Sequence, residues 1–251
     1  MKYGKTEVVL CEDYEDLGEK AAAEVAARMG ALLAEQDELR VVFAAGESQG
    51  SFCRAMARQE GIDWGRVTCF NVDDFWDRRL PREFTCGYQT ERELYAHVPC
   101  KAYHLVDYKA ADPEAEARRF EALVRQDPID VLCQGIGTSG HLALNEPGDT
   151  DFGAARWVRV VELVEQSKIQ LRDDPNFRDL GYIPDRGISM TIPAILSARH
   201  IYTMVPLALK KPILTRLAET SEPSENLPAS IIGTVESRLF VDRDSCPDTW
   251  R

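Results

Sequence analysis

The stretch that most constrains this chain is the run 129–147, IDVLCQGIGTSGHLALNEP, where an apolar segment ends abruptly in glycines and polar groups. Ile129, Val131, Leu132 and Ile136 read as a strand buried on both faces, the pattern of a parallel sheet covered by helices. Gly135, Gly137 and Gly140 then allow a tight turn and close approach of the backbone to a ligand. Ligands of open α/β sheets collect outside the carboxyl ends of the strands, so this turn is where chemistry is expected. His141 emerges from it and Glu146 follows five residues later. Pro147 biases Glu146 away from helical backbone, toward a fixed loop. Imidazole titrates near neutrality and a neighbouring carboxylate can orient it, so the two form a usable proton-transfer pair. The alternative is a glycine-rich turn with an incidental surface histidine, which the following Asn-Glu-Pro makes less economical.

The rest of the chain fits one α/β domain over residues 1–251. Thirty Lys+Arg against 42 Asp+Glu give a formal charge of -12. A surface so acidic argues against nucleic acid, which needs basic residues along its backbone, and leaves any anion to a local pocket. No run of about 18 apolar residues is present, so no membrane span is expected. The N-terminus turns acidic at once and lacks the apolar centre of a signal peptide, which points to the cytoplasm. Seven cysteines without a CxxC pair suit reduced thiols better than a disulfide framework, and four separated histidines make a structural metal an unattractive reading.

Strands and helices alternate along the sequence. A strand at 6–11 precedes a helix over 14–35 capped near Asp13, with Leu17, Ala21, Val25, Met29 and Leu32 toward the sheet. A second apolar strand, 39–45, runs into GESQGS and a helix near 51–58, which makes Gly46, Ser48 and Gln49 a candidate phosphate loop. Without a Walker lysine or a GxGxxG pattern it is equally an ordinary strand-to-helix turn, and Glu47 puts a negative charge beside it. The strand 67–72 delivers Asp73 and Asp74 at its carboxyl end. Either carboxylate could serve as a general base partly desolvated by Phe75 and Trp76, or cap a helix. The segment 78–98 has loop character and then a helix, and would suit a lid. A strand at 101–106 and an amphipathic helix over 113–126, with Pro113 in its first turn after Asp112, lead into the central strand. Beyond Pro147 the spacing predicts a strand at 156–163, a helix bearing Lys168, a loop over 172–187, a strand passing into a short helix over 187–198, a strand at 200–206, a helix at 208–219 with Lys210 and Lys211 in its first turn, and a closing strand. A lysine just past a strand end suits phosphate as a point charge, although a solvated helix face reads the same way. Such alternation implies right-handed crossovers and a mostly parallel sheet.

With these pieces placed, the chain resembles the glucosamine-6-phosphate deaminase/isomerase family, which also includes 6-phosphogluconolactonase-like members. FAAGESQG, VTCFNVDDFW, GIGTSGHLALNEP and the later VPLALKK carry the resemblance over most of the chain. The GxGxxGHxxxNEP pattern is the specific one, because the lactonase relatives share the Gly-His turn and typically lack the Asn-Glu-Pro. The resemblance implies a modified Rossmann-like, mostly parallel sheet flanked by helices. It also implies conversion of an amino-sugar 6-phosphate to a ketose 6-phosphate with release of ammonia, without metal or organic cofactor. By its motifs, Asp73 matches the base that moves a proton from C2 to C1, His141 the ring-opening acid/base, and Glu146 the carboxylate that tunes it. Lys210 matches a phosphate-binding lysine, with Gly46, Ser48 and Gln49 in the phosphate loop. Lys168, Asp74, Gly137 and Gly140 complete the expected substrate contacts. The partner implied is a small sugar phosphate, and a homo-oligomer is compatible, since the family includes hexamers. Three departures stand out. Ser139 replaces the Asp or Asn common two residues before the histidine, GESQG replaces a Thr-Gly-Gly-Thr pattern, and the basic cluster of the hexamers' allosteric site has no match. Activation by an amino-sugar effector is therefore not expected.

Overall fold

The computed structural model describes residues 1–173, 177 and 180–250. Its strands are β1 (Lys2–Tyr3), β2 (Thr6–Cys11), β3 (Leu39–Phe43), β4 (Val67–Asn71), β5 (Asp73–Trp76), β6 (Ala102–His104), β7 (Val131–Gln134), β8 (Val158–Glu162), β9 (Arg186–Met190), β10 (His200–Val205) and β11 (Arg238–Asp242). Eight form one sheet in the order β1-β2-β11-β10-β7-β3-β4-β6, parallel throughout except for β1 against β2. The mostly parallel α/β architecture expected from the sequence is what the chain adopts.

Side chains explain why the central strands are apolar without a break. Successive residues of a strand point to opposite faces. Val41, Phe43, Val131, Cys133, Tyr202 and Met204 enter one cluster, and Val42, Leu132, Ile201 and Val205 enter the other. Helix α1 (Tyr14–Glu35) covers the first face with Leu17, Ala21, Val25 and Met29. Asp13 caps it as expected, accepting from the N–H groups of Glu15 and Asp16 at 3.0 and 2.9 Å. Helix α2 (Gly50–Met56) joins the same layer, and α3 (Cys86–Glu93) packs beside it. Helix α4 (Pro113–Val124) covers the second face, with Asp112 accepting from Glu114 N–H at 2.9 Å and Pro113 in the first turn. None of the cysteines forms a disulfide among the described residues. No helix among the described residues is long and apolar enough to cross a membrane.

The structure departs from expectation in three places. Residues 73–76 are not the tail of a parallel strand: β5, β9 and β8 form a separate antiparallel sheet, with Asp73 opposite Ser189 and Arg159 opposite Ser189 on the other side. Four residues reading Asp-Asp-Phe-Trp carry no alternation that would announce a strand, and their pairing is entirely long-range. The expected lid over 78–98 is pinned instead, because α3 is anchored at its first turn, as described below. The helix expected from 208 opens as a single tight turn, Ala208–Lys210, before α7 (Lys211–Ala218), where Pro212 supplies no N–H. Between them, α5 (Glu165–Asp173) and the short α6 (Ile192–Leu196) follow β8 and β9 respectively. Of the loop expected over 172–187, positions 174–176 and 178–179 lie outside the described residues.

Candidate active site

The carboxyl ends of β3, β7 and β10 converge on the turn after β7. Gly135 is packed so closely that a Cβ there would lie 2.9 Å from Gln49 Nε2 and 3.0 Å from Ser48 Oγ, which seats the loop after β3 directly on the β7 end. Gln49 Nε2 also donates to Ser48 Oγ at 3.1 Å and to Met204 O at 3.2 Å, joining the loop to β10. Lys210 reaches the same place from the other side: its Nζ donates to Ile136 O at 2.8 Å. Burial pushes this ammonium down to about 8, partly offset by the negative charge of Glu47. Gly46, with φ at 101°, turns its N–H onto Gln89 Oε1 at 3.0 Å. Glu47 itself is exposed, and its backbone carbonyl accepts from Tyr14 Oη at 2.6 Å.

From this floor the turn carries His141 back over Gly137. A Cβ on Gly137 would fall 1.9 Å from His141 Nε2, so only glycine leaves room for the ring. Gly140 adopts φ of 90° and its N–H closes onto Gly137 O at 2.9 Å. His141 Nδ1 lies 2.6 Å from Glu146 Oε1 and 2.8 Å from Ser139 Oγ, while Ser139 Oγ–H donates to Glu146 Oε2 at 2.6 Å. With the serine proton directed to the carboxylate, the shared proton belongs on Nδ1, and in the uncharged form of the ring the lone pair is on Nε2. Burial pushes the Glu146 carboxyl up, but hydrogen bonding from His141, its charge, and the hydroxyls of Ser139 and Ser167 outweigh that and hold it below the usual range.

Burial raises both Asp73 and Asp74 to about 7, and the two separate by their hydrogen bonds. Asp74 is 1% exposed, and its carboxylate accepts from the N–H groups of Phe75 at 2.8 Å, Cys86 at 2.9 Å and Gly87 at 2.8 Å. It anchors the first turn of α3, whose N-cap residue is Thr85, accepting from Tyr88 N–H at 3.1 Å. Asp73 receives no hydrogen bond on its carboxylate among the described residues. Desolvation, then the charge of Asp74, raises it to about 7. Strand β9 brings it into register with the His141 loop. Met190 N–H donates to Val72 O at 2.9 Å, Leu144 N–H to Ser189 Oγ at 3.1 Å, and Asn145 Nδ2 to Met190 O at 2.8 Å. The described non-glycine residues with positive φ, Ala143 (52°) and Leu207 (80°), both lie in site loops, one between His141 and Glu146 and one before Lys210. Lys168 is turned to Asp185 at 2.6 Å. No group of three or more His, Cys, Asp or Glu suited to hold a metal occurs among the described residues.

Residues 12–241 match the family described as glucosamine-6-phosphate isomerases/6-phosphogluconolactonase. The chain belongs to this family. A glucosamine-6-phosphate deaminase of Geobacillus sp. (strain WCH70) is 29% identical over 241 residues, covering 93% of this chain and 92% of its own. One from Shouchella clausii (strain KSM-K16) is 30% identical over 234 residues, with 90% of each chain covered. Among solved structures, a monomeric glucosamine-6-phosphate deaminase superposes with a TM-score of 0.82 at 26% identity, covering 98% of this chain and 100% of that one. A 6-phosphogluconolactonase from Thermotoga maritima, at 20% identity and a TM-score of 0.74 over 95% of this chain, shares the fold. Within the family frame, the sequence reading missed Gln89, Ser167 and Ser189, each of which holds a site loop through one hydrogen bond. No periodicity or motif marks them; only the packing of α3, α5 and β9 against the site does.

Proposed function

We propose that the protein is an amino-sugar-phosphate deaminase/isomerase acting on glucosamine 6-phosphate or its galactosamine epimer. The observation that carries the reading is that β9 joins two unlike groups: Asp73, without a hydrogen bond on its carboxylate among the described residues and raised to about 7, pairs with Ser189, which also holds the loop of a histidine whose Nδ1 is held by Glu146 and Ser139. A base is most useful when it titrates near the working pH, and Asp73 does. His141 Nε2 takes the proton of the anomeric hydroxyl and passes it to the ring oxygen as the C1–O5 bond breaks and the sugar opens. Asp73 then removes the proton from C2 and returns it to C1, while a proton of the C2 amino group passes to O1. The C2 imine so formed is hydrolysed by one water, giving the ketose phosphate and one ammonia. Lys210 and the loop 46–49 bind the phosphate, with Gly137 and Gly140 shaping the turn beneath the sugar. Proton transfer and hydration are all that this scheme asks, and the side chains named supply them.

Ammonia release from glucosamine 6-phosphate and galactosamine 6-phosphate tests the reading, with His141→Ala as control. Release that falls by about a hundredfold or more in the variant is expected. A folded protein that releases none from either sugar, yet hydrolyses a 6-phosphosugar lactone, would replace it with the lactonase reaction.

A further inference from the structure

Glu146 takes its hydrogen bonds from two different layers of the molecule. His141 and Ser139 belong to its own loop. Ser167 does not: it is the third residue of α5, is 7% exposed, and donates its hydroxyl to Glu146 Oε1, the oxygen that also faces His141 Nδ1. Helix α5 follows β8, β8 pairs with β9, and β9 pairs with β5, the strand that begins at Asp73. One small sheet thus presents Asp73 at one edge and leads into Ser167 at the other, while the histidine belongs to the large sheet. The remaining ties between β9 and the histidine loop, through Ser189 and the Met190 carbonyl, reach Leu144 and Asn145. Among the ties of the described residues only the Ser167 bond runs from this layer to the carboxylate that holds the imidazole, and a hydrogen bond to a charged acceptor is about twice as strong as a neutral one.

We propose that Ser167 is a positioning residue for the reaction of the preceding subsection, on which the inference rests: through Glu146 it fixes the His141 imidazole relative to Asp73. The isomerisation needs protons moved at the ring oxygen and at C2 of the same sugar, so the two groups must keep one spacing although different sheets carry them. Ser167 locks that spacing. Its hydroxyl also contributes to holding the Glu146 carboxyl low, so its removal lets that carboxyl rise.

Three variants test this: Ser167→Ala, Ser167→Cys, which keeps the volume but loses the strong donor, and Ser167→Thr, which keeps the hydroxyl. Alanine and cysteine are expected to lower kcat by about tenfold with little change in KM, while threonine recovers most of it. The acid limb of the kcat/KM profile moves to higher pH in the first two only. Independently of turnover, the downfield proton signal of His141 Nδ1–H is present in the wild type and the threonine variant and broadened away in the other two. Wild-type kcat, pH profile and proton signal in Ser167→Ala would overturn the proposal, and so would a loss confined to KM. If the wild type releases no ammonia, the preceding reading fails, while the Nδ1–H comparison still decides the role of Ser167.

Discussion

Glu146 and Asp73 are two desolvated carboxylates in one site, and the molecule treats them in opposite ways. Desolvation raises both. Glu146 is then surrounded by donors from His141, Ser139 and Ser167 and ends below the ordinary range, whereas Asp73 has the charge of Asp74 for a neighbour and ends near 7. Asp74, which accepts three backbone N–H groups, is nevertheless raised to about 7 by burial, so a permanent anion arises only where the donors outweigh desolvation, as the imidazole and two hydroxyls do at Glu146.

The sharpest way to break that contrast is to remove the titrating group. Asp73→Asn is expected to lower kcat by about a thousandfold. It also has a signed effect on stability. Because folding raises the Asp73 carboxyl to about 7, the native state loses stability as pH climbs from the ordinary carboxylate range through 7. The amide is free of that loss, so the variant should melt above the wild type at pH 8, by about 3 °C, and the two should converge near pH 4 in calorimetric scans. A lower melting point at pH 8 would mean that the carboxylate is stabilised in place after all.

A second test leaves both carboxylates and moves the imidazole. In Gly137→Ala the new Cβ meets the His141 ring, so the ring must leave its place above the turn. Turnover should fall by about a hundredfold, for a stability cost of about 1–3 kcal/mol measured by thermal unfolding. Near-normal turnover would show that the hydrogen bonds to Glu146 and Ser139 are not what sets the ring's useful position.

The smallest expected effect extends the comparison to a cation. Burial lowers Lys210 to about 8, and the nearby Glu47 charge partly sustains it. Removing that charge in Glu47→Gln takes away repulsion toward a phosphate and also some support for the ammonium. At pH 6.5, where Lys210 stays charged, KM should fall by about threefold, and the gain should shrink with added salt. At pH 8.5 the gain should vanish, because Lys210 then loses its proton more readily. A KM that rises at both pH values would place the phosphate away from Lys210.

Much of this was legible in the sequence because the relevant signals were local. An unbroken apolar strand ending in Gly-x-Gly-x-x-Gly-His leaves few conformations open, and the three glycines indeed occupy positions where a side chain would collide or the backbone turns through positive φ. Asp73 and Asp74 were indistinguishable on local grounds, since only the arrival of Cys86 and Gly87 N–H groups from α3 decides which one is tied down by hydrogen bonds. The antiparallel sheet escaped for the same reason. β5 is four residues long and meets β9 only after more than a hundred residues of intervening chain. Ser167 sits in a polar helical run in which nothing marks one serine from its neighbours.

The order of the large sheet has a consequence in time. Strand β11 lies between β2 and β10, so the strand near the start of the sequence cannot acquire its parallel neighbour until residues 238–242 arrive. Pairings of such long sequence separation form slowly. As the chain emerges from the ribosome, β3, β4 and β7 can come together early while β2 waits, and the floor beneath Lys210 is finished only when β10 has been enclosed on both sides. Catalytic competence is then among the last properties the chain acquires.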